Sequence, residues 1–385
     1  MKTIVLAAFV AAIPFVTAQD QKAAGQDPGK KDPAPVPMAS KAAEHAHLKL
    51  LAGNWDVAVK CWPAPGGAPI AMAGTDESKL CCDGMWLVTK VEGIPAGTFQ
   101  GYGLTGYDTN LKKFVGVWVD SANSSPAWSE GEYDAKAKTF AMRGEGPGPN
   151  GGMAKTRSAC EFKGDDTRIE KCWTTGADGK EFQCMELTFT RSKPGGAKPI
   201  AAAADKSAKP ADAAAGGAAG GAPNPKDPMH AHLKRAAGTW TGKAKMQMPG
   251  APVEESAMTL TETLICNDLW VRSDATGTFG GQPFEGHGIF GYDTNKKQFV
   301  SFWVDGGSTG ISKANGTCDA DGKVFTLTGE CTMAGAPIKT SEVSKFDGDK
   351  RTCEMKMKTA DGKDAGSCTF ELTRQKSEKS EKIDK

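Results

Sequence analysis

Between residues 41 and 193, and again between 229 and 376, short runs of alternating apolar and polar residues are broken by turn signals every ~8 to 12 positions. A period of two predicts antiparallel strands, not helices. In the clearest run Phe114, Gly116, Trp118 and Asp120 share one face, while Val115, Val117 and Val119 share the other. The turns carry Asp, Asn and Gly, as at Asp108-Thr109-Asn110, Ala177-Asp178-Gly179-Lys180 and Ala360-Asp361-Gly362-Lys363, because Asp and Asn bond their own backbone and tolerate the left-handed region. Helix is expected only in a short lead-in to each segment, around His45 to Leu51 and His230 to Ala236. About eight to ten sequential strands in roughly 150 residues most simply close into an up-and-down barrel, since closure removes exposed edges; a sandwich is the alternative. The expected class is all-β.

The two segments are copies. At an offset of about 185 residues His45-Ala46-His47-Leu48-Lys49 recurs as His230-Ala231-His232-Leu233-Lys234, and Ala52-Gly53-Asn54-Trp55 as Ala237-Gly238-Thr239-Trp240. Gly106-Tyr107-Asp108-Thr109-Asn110 and Trp118-Val119-Asp120 recur as Gly291-Tyr292-Asp293-Thr294-Asn295 and Trp303-Val304-Asp305; the copies close alike on Thr190-Arg191 and Thr373-Arg374. Residues 194–228 between them are mostly Ala, Gly, Pro and Lys and are expected to form a flexible linker; residues 19–40 and the tail 377–385 have the same character. A linker of this kind predicts two barrels that fold independently of each other.

Met1-Lys2-Thr3 followed by an apolar run to Val16 reads as a signal peptide, cut after Ala18, so the protein is expected to be exported to the periplasm or the extracellular space. No stretch approaches the ~20 apolar residues of a membrane-spanning helix. With 47 basic and 46 acidic residues there is no field to recruit nucleic acid or an anionic membrane. In an exported chain the 11 cysteines favour disulfides, with Cys172–Cys184, Cys353–Cys368 and Cys318–Cys331 as candidate bridges; the odd count leaves at least one thiol free, intermolecular or lost within the adjacent Cys81-Cys82.

With the lead-in, the Gly-x-Trp opening, the Gly-Tyr-Asp hairpin and the Trp-Val-Asp strand in view, each copy resembles the bacterial family known as domain of unknown function 1579. The resemblance implies a lipocalin-like barrel and no established biochemical role. Independent support comes from Trp55 with Arg191 and Trp240 with Arg374: in lipocalin-like barrels such an Arg stacks over the Trp at the closed end, a cation–π contact of about 0.5–2 kcal/mol. These four residues are expected to be structural.

Six residues are candidate ligand contacts: Trp118, Asp120 and Tyr107, with Trp303, Asp305 and Tyr292 in the second copy. An aromatic and a carboxylate two residues apart on one strand face suit a cavity that is apolar with a few polar groups. The competing reading makes Asp120 and Asp305 strand-end residues that bond the following loop, and makes the aromatics, Tyr102 and Trp86 among them, core. Glu77 and Glu262 are weaker candidates, on strands expected to face solvent. The His-Ala-His pair invites a metal, but residues i and i+2 of a helix diverge and nothing completes a shell, so no metal and no cofactor is expected.

The first copy lacks any His between His47 and the linker, which leaves its barrel without a Ser-His-Asp arrangement, and no Walker loop or dinucleotide fingerprint occurs. The expected function is therefore non-enzymatic: binding of a small apolar or amphipathic ligand in each barrel. A cell-envelope structural or interaction module with filled barrels is the alternative.

Overall fold

The computed structural model describes residues 39–192 and 226–376, apart from positions 150, 280 and 334. The expected signal peptide, most of residues 19–40, all but the last residues of the linker, and the tail lie outside the described residues.

Each copy is a closed ten-stranded antiparallel barrel in which every strand pairs with its sequence neighbours and the first pairs with the last. A single closed ring excludes the sandwich. The first comprises β1 (Gly53–Cys61), β2 (Ile70–Cys81), β3 (Trp86–Ile94), β4 (Gln100–Asp108), β5 (Lys113–Asp120), β6 (Ala127–Asp134), β7 (Thr139–Pro147), β8 (Met153–Phe162), β9 (Thr167–Thr175) and β10 (Glu181–Arg191). The second comprises β11 (Gly238–Gln247), β12 (Glu254–Ile265), β13 (Trp270–Phe279), β14 (Gln282–Asp293), β15 (Gln298–Asp305), β16 (Ser312–Cys318), β17 (Val324–Met333), β18 (Ala336–Asp347), β19 (Lys350–Thr359) and β20 (Asp364–Arg374).

A 3-10 helix precedes each barrel, Ala43–Leu50 and Pro228–Arg235, and plugs its base. His45 and Leu48, and correspondingly His230 and Leu233, are buried there, and the two histidines sit edge-on to Tyr107 and Tyr292 at 5.7 Å. Burial lowers the pKa of both rings, which suits neutral packing residues. The indoles of Trp55 and Trp240 donate to the carbonyls of Leu51 and Ala236 just past these helices, at 3.0 and 2.7 Å.

Closure brings Trp55 opposite Arg191 and Trp240 opposite Arg374, and each guanidinium lies over its indole, 4.2 and 4.0 Å from the ring centroid. Gly53 explains the Gly-x-Trp opening: its φ is +132°, and a Cβ there would stand 2.3 Å from the Arg191 guanidinium. Arg191→Ala is expected to destabilise the first barrel by about 1–3 kcal/mol through lost stacking over a buried indole. An unchanged urea midpoint for that barrel would refute this.

The two barrels are docked on each other. Both fall within one compact unit, and the outward faces of β3–β5 pack on those of β13–β15 in a shared apolar core containing Trp86, Leu104, Val115, Val117, Trp270, Ile289, Val300 and Phe302. The contacts are reciprocal. The indole of Trp86 donates across the interface to the carbonyls of Asp305 and Ser308 at 3.1 and 3.2 Å, and that of Trp270 donates back to Asn123 at 3.3 Å. Thr109 meets Thr309 and Ser124 meets Thr294, both at 2.7 Å, so residues matched by the internal repeat exchange partners as in an isologous dimer. The linker's composition bears on its own flexibility; docking is decided by the strand faces.

The expected bridges are not formed: among the described residues no disulfide is present. Cys318 and Cys331 lie opposite Phe325 and Ile338, which places them at opposite ends of β17, about 20 Å apart. Cys353 faces Phe370 while Cys368 faces Met355, a diagonal relation too wide for a disulfide without backbone movement. Cys184 occupies the bulge between Gln183 and Met185 and donates its thiol to the Cys172 carbonyl at 3.4 Å.

Candidate functional site

Alternation along the strands sorts each residue into the lumen or onto the outside. In the first barrel the lower lumen is filled by Trp55, Val57, Phe114, Phe140, Phe162 and Phe189. Among them lies a buried ion pair, Arg168 Nη2 to Asp76 Oδ2 at 2.8 Å, with both side chains about 5% exposed. Ser78 donates to Asp76 at 2.6 Å, and Phe189 lies 3.8 Å beneath the guanidinium. Burial raises the Asp76 pKa, and Arg168 and Ser78 work against it.

Above this base the wall changes character. Thr105, Ser129, Thr156, Ser158, Val59 and Leu187 all point inward at mid-strand, yet each remains partly exposed. A mid-strand side chain on the inner face that keeps part of its surface borders space within the barrel, and these six ring the upper lumen. Glu170 also projects inward, opposite Leu187 and Cys160. Arg168 is matched by Asp76 and Asp120 is held by Trp118 and its own loop, so Glu170 is the carboxylate of the upper wall.

The second barrel also has partly exposed inward side chains, Ser301, Thr340 and Glu342 among them, but its wall is built from different sizes. Register places Phe290 where the first has Thr105, Met355 where it has Cys172, and Phe370 where it has Leu187, against smaller Ala244 and Ser256 at the places of Val59 and Met72. Phe290 stacks on Phe299 and meets Phe325 edge-on, extending the aromatic base upward. Its internal ion pair is rebuilt from other positions: Leu260 replaces Asp76, and Glu262 replaces Ser78 to bind Arg351 at 2.7 Å. Glu262 is thus buried inside the barrel, not turned to solvent; Glu77 does face outward, beside Lys79. The two are one position out of register.

The six candidate contacts separate into two groups. Tyr107 and Tyr292 stay at the closed base against the plug helices. Trp118 and Trp303 line the inner wall, lying over Gly101 and Gly103 or Gly286 and Gly288. Their indoles donate to Asp120 at 3.1 Å and Asp305 at 2.7 Å. The other oxygen of Asp120 accepts from Ala122 N and Asn123 Nδ2, and that of Asp305 from Gly307 N. Burial raises both carboxyl pKa values against these hydrogen bonds. Each aspartate therefore fixes an indole and the loop that reaches across to the other barrel. Tyr102 and Trp86 point outward into the interface and contribute nothing to the lumen.

A second constellation has no precursor in the sequence reading, because its members come from different copies. At one edge of the interface the thiols of Cys81 and Cys82 and the imidazole of His287 place their ligating atoms within 4.8 Å of one another. His287 Nδ1 is 2.8 Å from Asp274 Oδ1, whose other oxygen pairs with Arg272 at 2.8 Å, and Nε2 is 3.2 Å from Glu285 Oε1. Burial opposes charge on His287, but Asp274 and Cys81 outweigh it and push the pKa up to about 10. A hydrogen bond with Cys82, supported by His287, holds the Cys81 thiol down at about 6. The only advance signals were the vicinal cysteines and a histidine at the place of Tyr102.

The chain has detectable similarity to several solved structures. Rv2717c from M. tuberculosis is 14% identical, with 40% of this chain and 100% of that one covered at a TM-score of 0.33. The S-type phycobiliprotein lyase CPES from Guillardia theta is 16% identical over 39% of this chain and 93% of its own, with a TM-score of 0.29. A transferrin binding protein B mutant from Haemophilus parasuis is 7% identical over 84% of this chain and 76% of its own, at 0.21. No curated protein matches. The family described as protein of unknown function (DUF1579) matches residues 40–191 and 225–374, one domain per barrel and most of the chain, and the protein belongs to that family.

Proposed function

We propose that the protein is a non-enzymatic, exported binding protein whose first barrel holds a small apolar or amphipathic molecule. The observation that carries this is the partly exposed ring of inward, mid-strand side chains above a sealed aromatic base, in which Val59 and Leu187 stand among the hydroxyls of Thr105, Ser129, Thr156 and Ser158, a mixed lining that suits an amphipathic molecule. Glu170 adds a carboxylate to these hydroxyls, so an amine-bearing amphiphile is favoured over a carboxylate with the same tail. Export is supported by the leader-like first residues, and among the described residues no helix is long and apolar enough to cross a membrane. The second barrel, with Phe290 built into its lumen, takes the role of a docked support. To that extent the interaction-module reading draws on it.

Titrating the delipidated full chain with an environment-sensitive apolar dye tests the proposal. Dye emission should saturate, and a long-chain amine should displace the dye roughly tenfold better than the matching acid, the size of one partly shielded charge contact. Glu170→Gln should level the two. If neither dye nor amphiphile binds, the carrier reading falls.

A further inference from the structure

The interface of the two barrels is reciprocal in its core but not around Cys81 and His287. Register maps this edge onto the opposite one: Cys81, opposite Trp86, corresponds to Ile265, opposite Trp270, and the facing pair Asp274–His287 corresponds to Lys90–Tyr102. Cys82 and Cys266 do match, each donating its backbone N–H across the interface, to Glu285 at 2.7 Å and to Gln100 at 2.9 Å. One edge therefore holds two thiols, an imidazole and two carboxylates; its twin holds one thiol, a phenol, a lysine and an amide. Duplication alone does not produce that difference.

We propose that Cys81 and Cys82 of the first barrel and His287 of the second form a binding site for a zinc-type divalent cation that ties the two barrels together. The donor set is the one such ions take, thiolate sulfur with imidazole nitrogen. An ion about 2.3 Å from sulfur and about 2.0 Å from nitrogen sets its donors roughly 3.3–3.8 Å apart, so a trio already within 4.8 Å needs to close by about an ångström. With Nδ1 of His287 held by Asp274, Nε2, now 3.2 Å from Glu285, is the ring atom that would turn to the ion, and this carboxylate–histidine contact is the usual outer support of a zinc ligand. Glu285 Oε1, 3.2 Å from Nε2, stands where a fourth ligand would be recruited.

Cobalt titration of the reduced, metal-free full chain reads the site directly. Wild type should take up a single equivalent of Co²⁺ with thiolate-to-cobalt charge-transfer absorption and tetrahedral visible bands, displaced by Zn²⁺. Cys81→Ser and His287→Gln should each weaken binding by at least about 100-fold, and Asp274→Asn, which leaves every ligand in place, by about 10- to 100-fold. Cys266→Ser, at the opposite edge, should bind like wild type. Zn²⁺ should raise the thermal midpoint of wild type but not of His287→Gln. The site is refuted if the folded, reduced protein shows no charge-transfer band, or if the band survives both Cys81→Ser and His287→Gln.

Discussion

Asp76→Ala is expected to destabilise the first barrel by about 3–5 kcal/mol, because it strands the Arg168 guanidinium in the aromatic base with no counter-charge. The second copy indicates how to reverse the loss. There Leu260 stands in place of Asp76 and Glu262 in place of Ser78, and Glu262 reaches the matching arginine at 2.7 Å. The double variant Asp76→Leu, Ser78→Glu transplants that arrangement and should recover most of the stability. Urea denaturation of the three proteins decides the matter: a cost below about 1 kcal/mol for Asp76→Ala would mean that the guanidinium finds water within the lumen.

Trp86→Ala is the matching test of the interface. The indole is fully buried, it fills the surface left bare by Gly106, where a Cβ would lie 2.2 Å from the ring, and its N–H spans the two barrels. Truncation of so large a buried aromatic costs about 3–5 kcal/mol. Because the loss falls on the contact between barrels, denaturation should split into two transitions and the radius of gyration should rise. A single cooperative transition with an unchanged radius would show that the docked pair does not depend on this core.

Much of the architecture was legible. Period-two alternation, the repeated Gly-x-Trp and the terminal Arg lead to two closed barrels and place the stacked Trp–Arg pairs at their bases. The docking was not read, although its signal was present: β5 is apolar on both faces, Phe114 and Trp118 inward and Val115, Val117 and Val119 outward. In an antiparallel barrel a strand apolar on both faces needs a covering layer outside. The Asp76–Arg168 pair escaped because its members lie on distant strands. The metal-ligating trio escaped for a stronger reason, since it exists only once two copies have docked. The alternation puts Trp118 and Asp120 on one strand face, which the barrel turns inward, but the carboxylate's partners are loop groups that strand pattern alone does not reveal.

The claim that the first barrel is a hollow cup, not a filled core, is tested most directly by putting a large side chain into it. Ser129 points into the lumen from mid-β6, between Gly116 and Gly144 on the flanking strands. If the space is open, Ser129→Trp should fold with an unchanged or raised thermal midpoint, while affinity for the apolar dye falls at least tenfold. If the interior is packed, the same substitution should overfill it and cost about 1–3 kcal/mol of stability. That loss, with dye affinity unchanged, would contradict the cup.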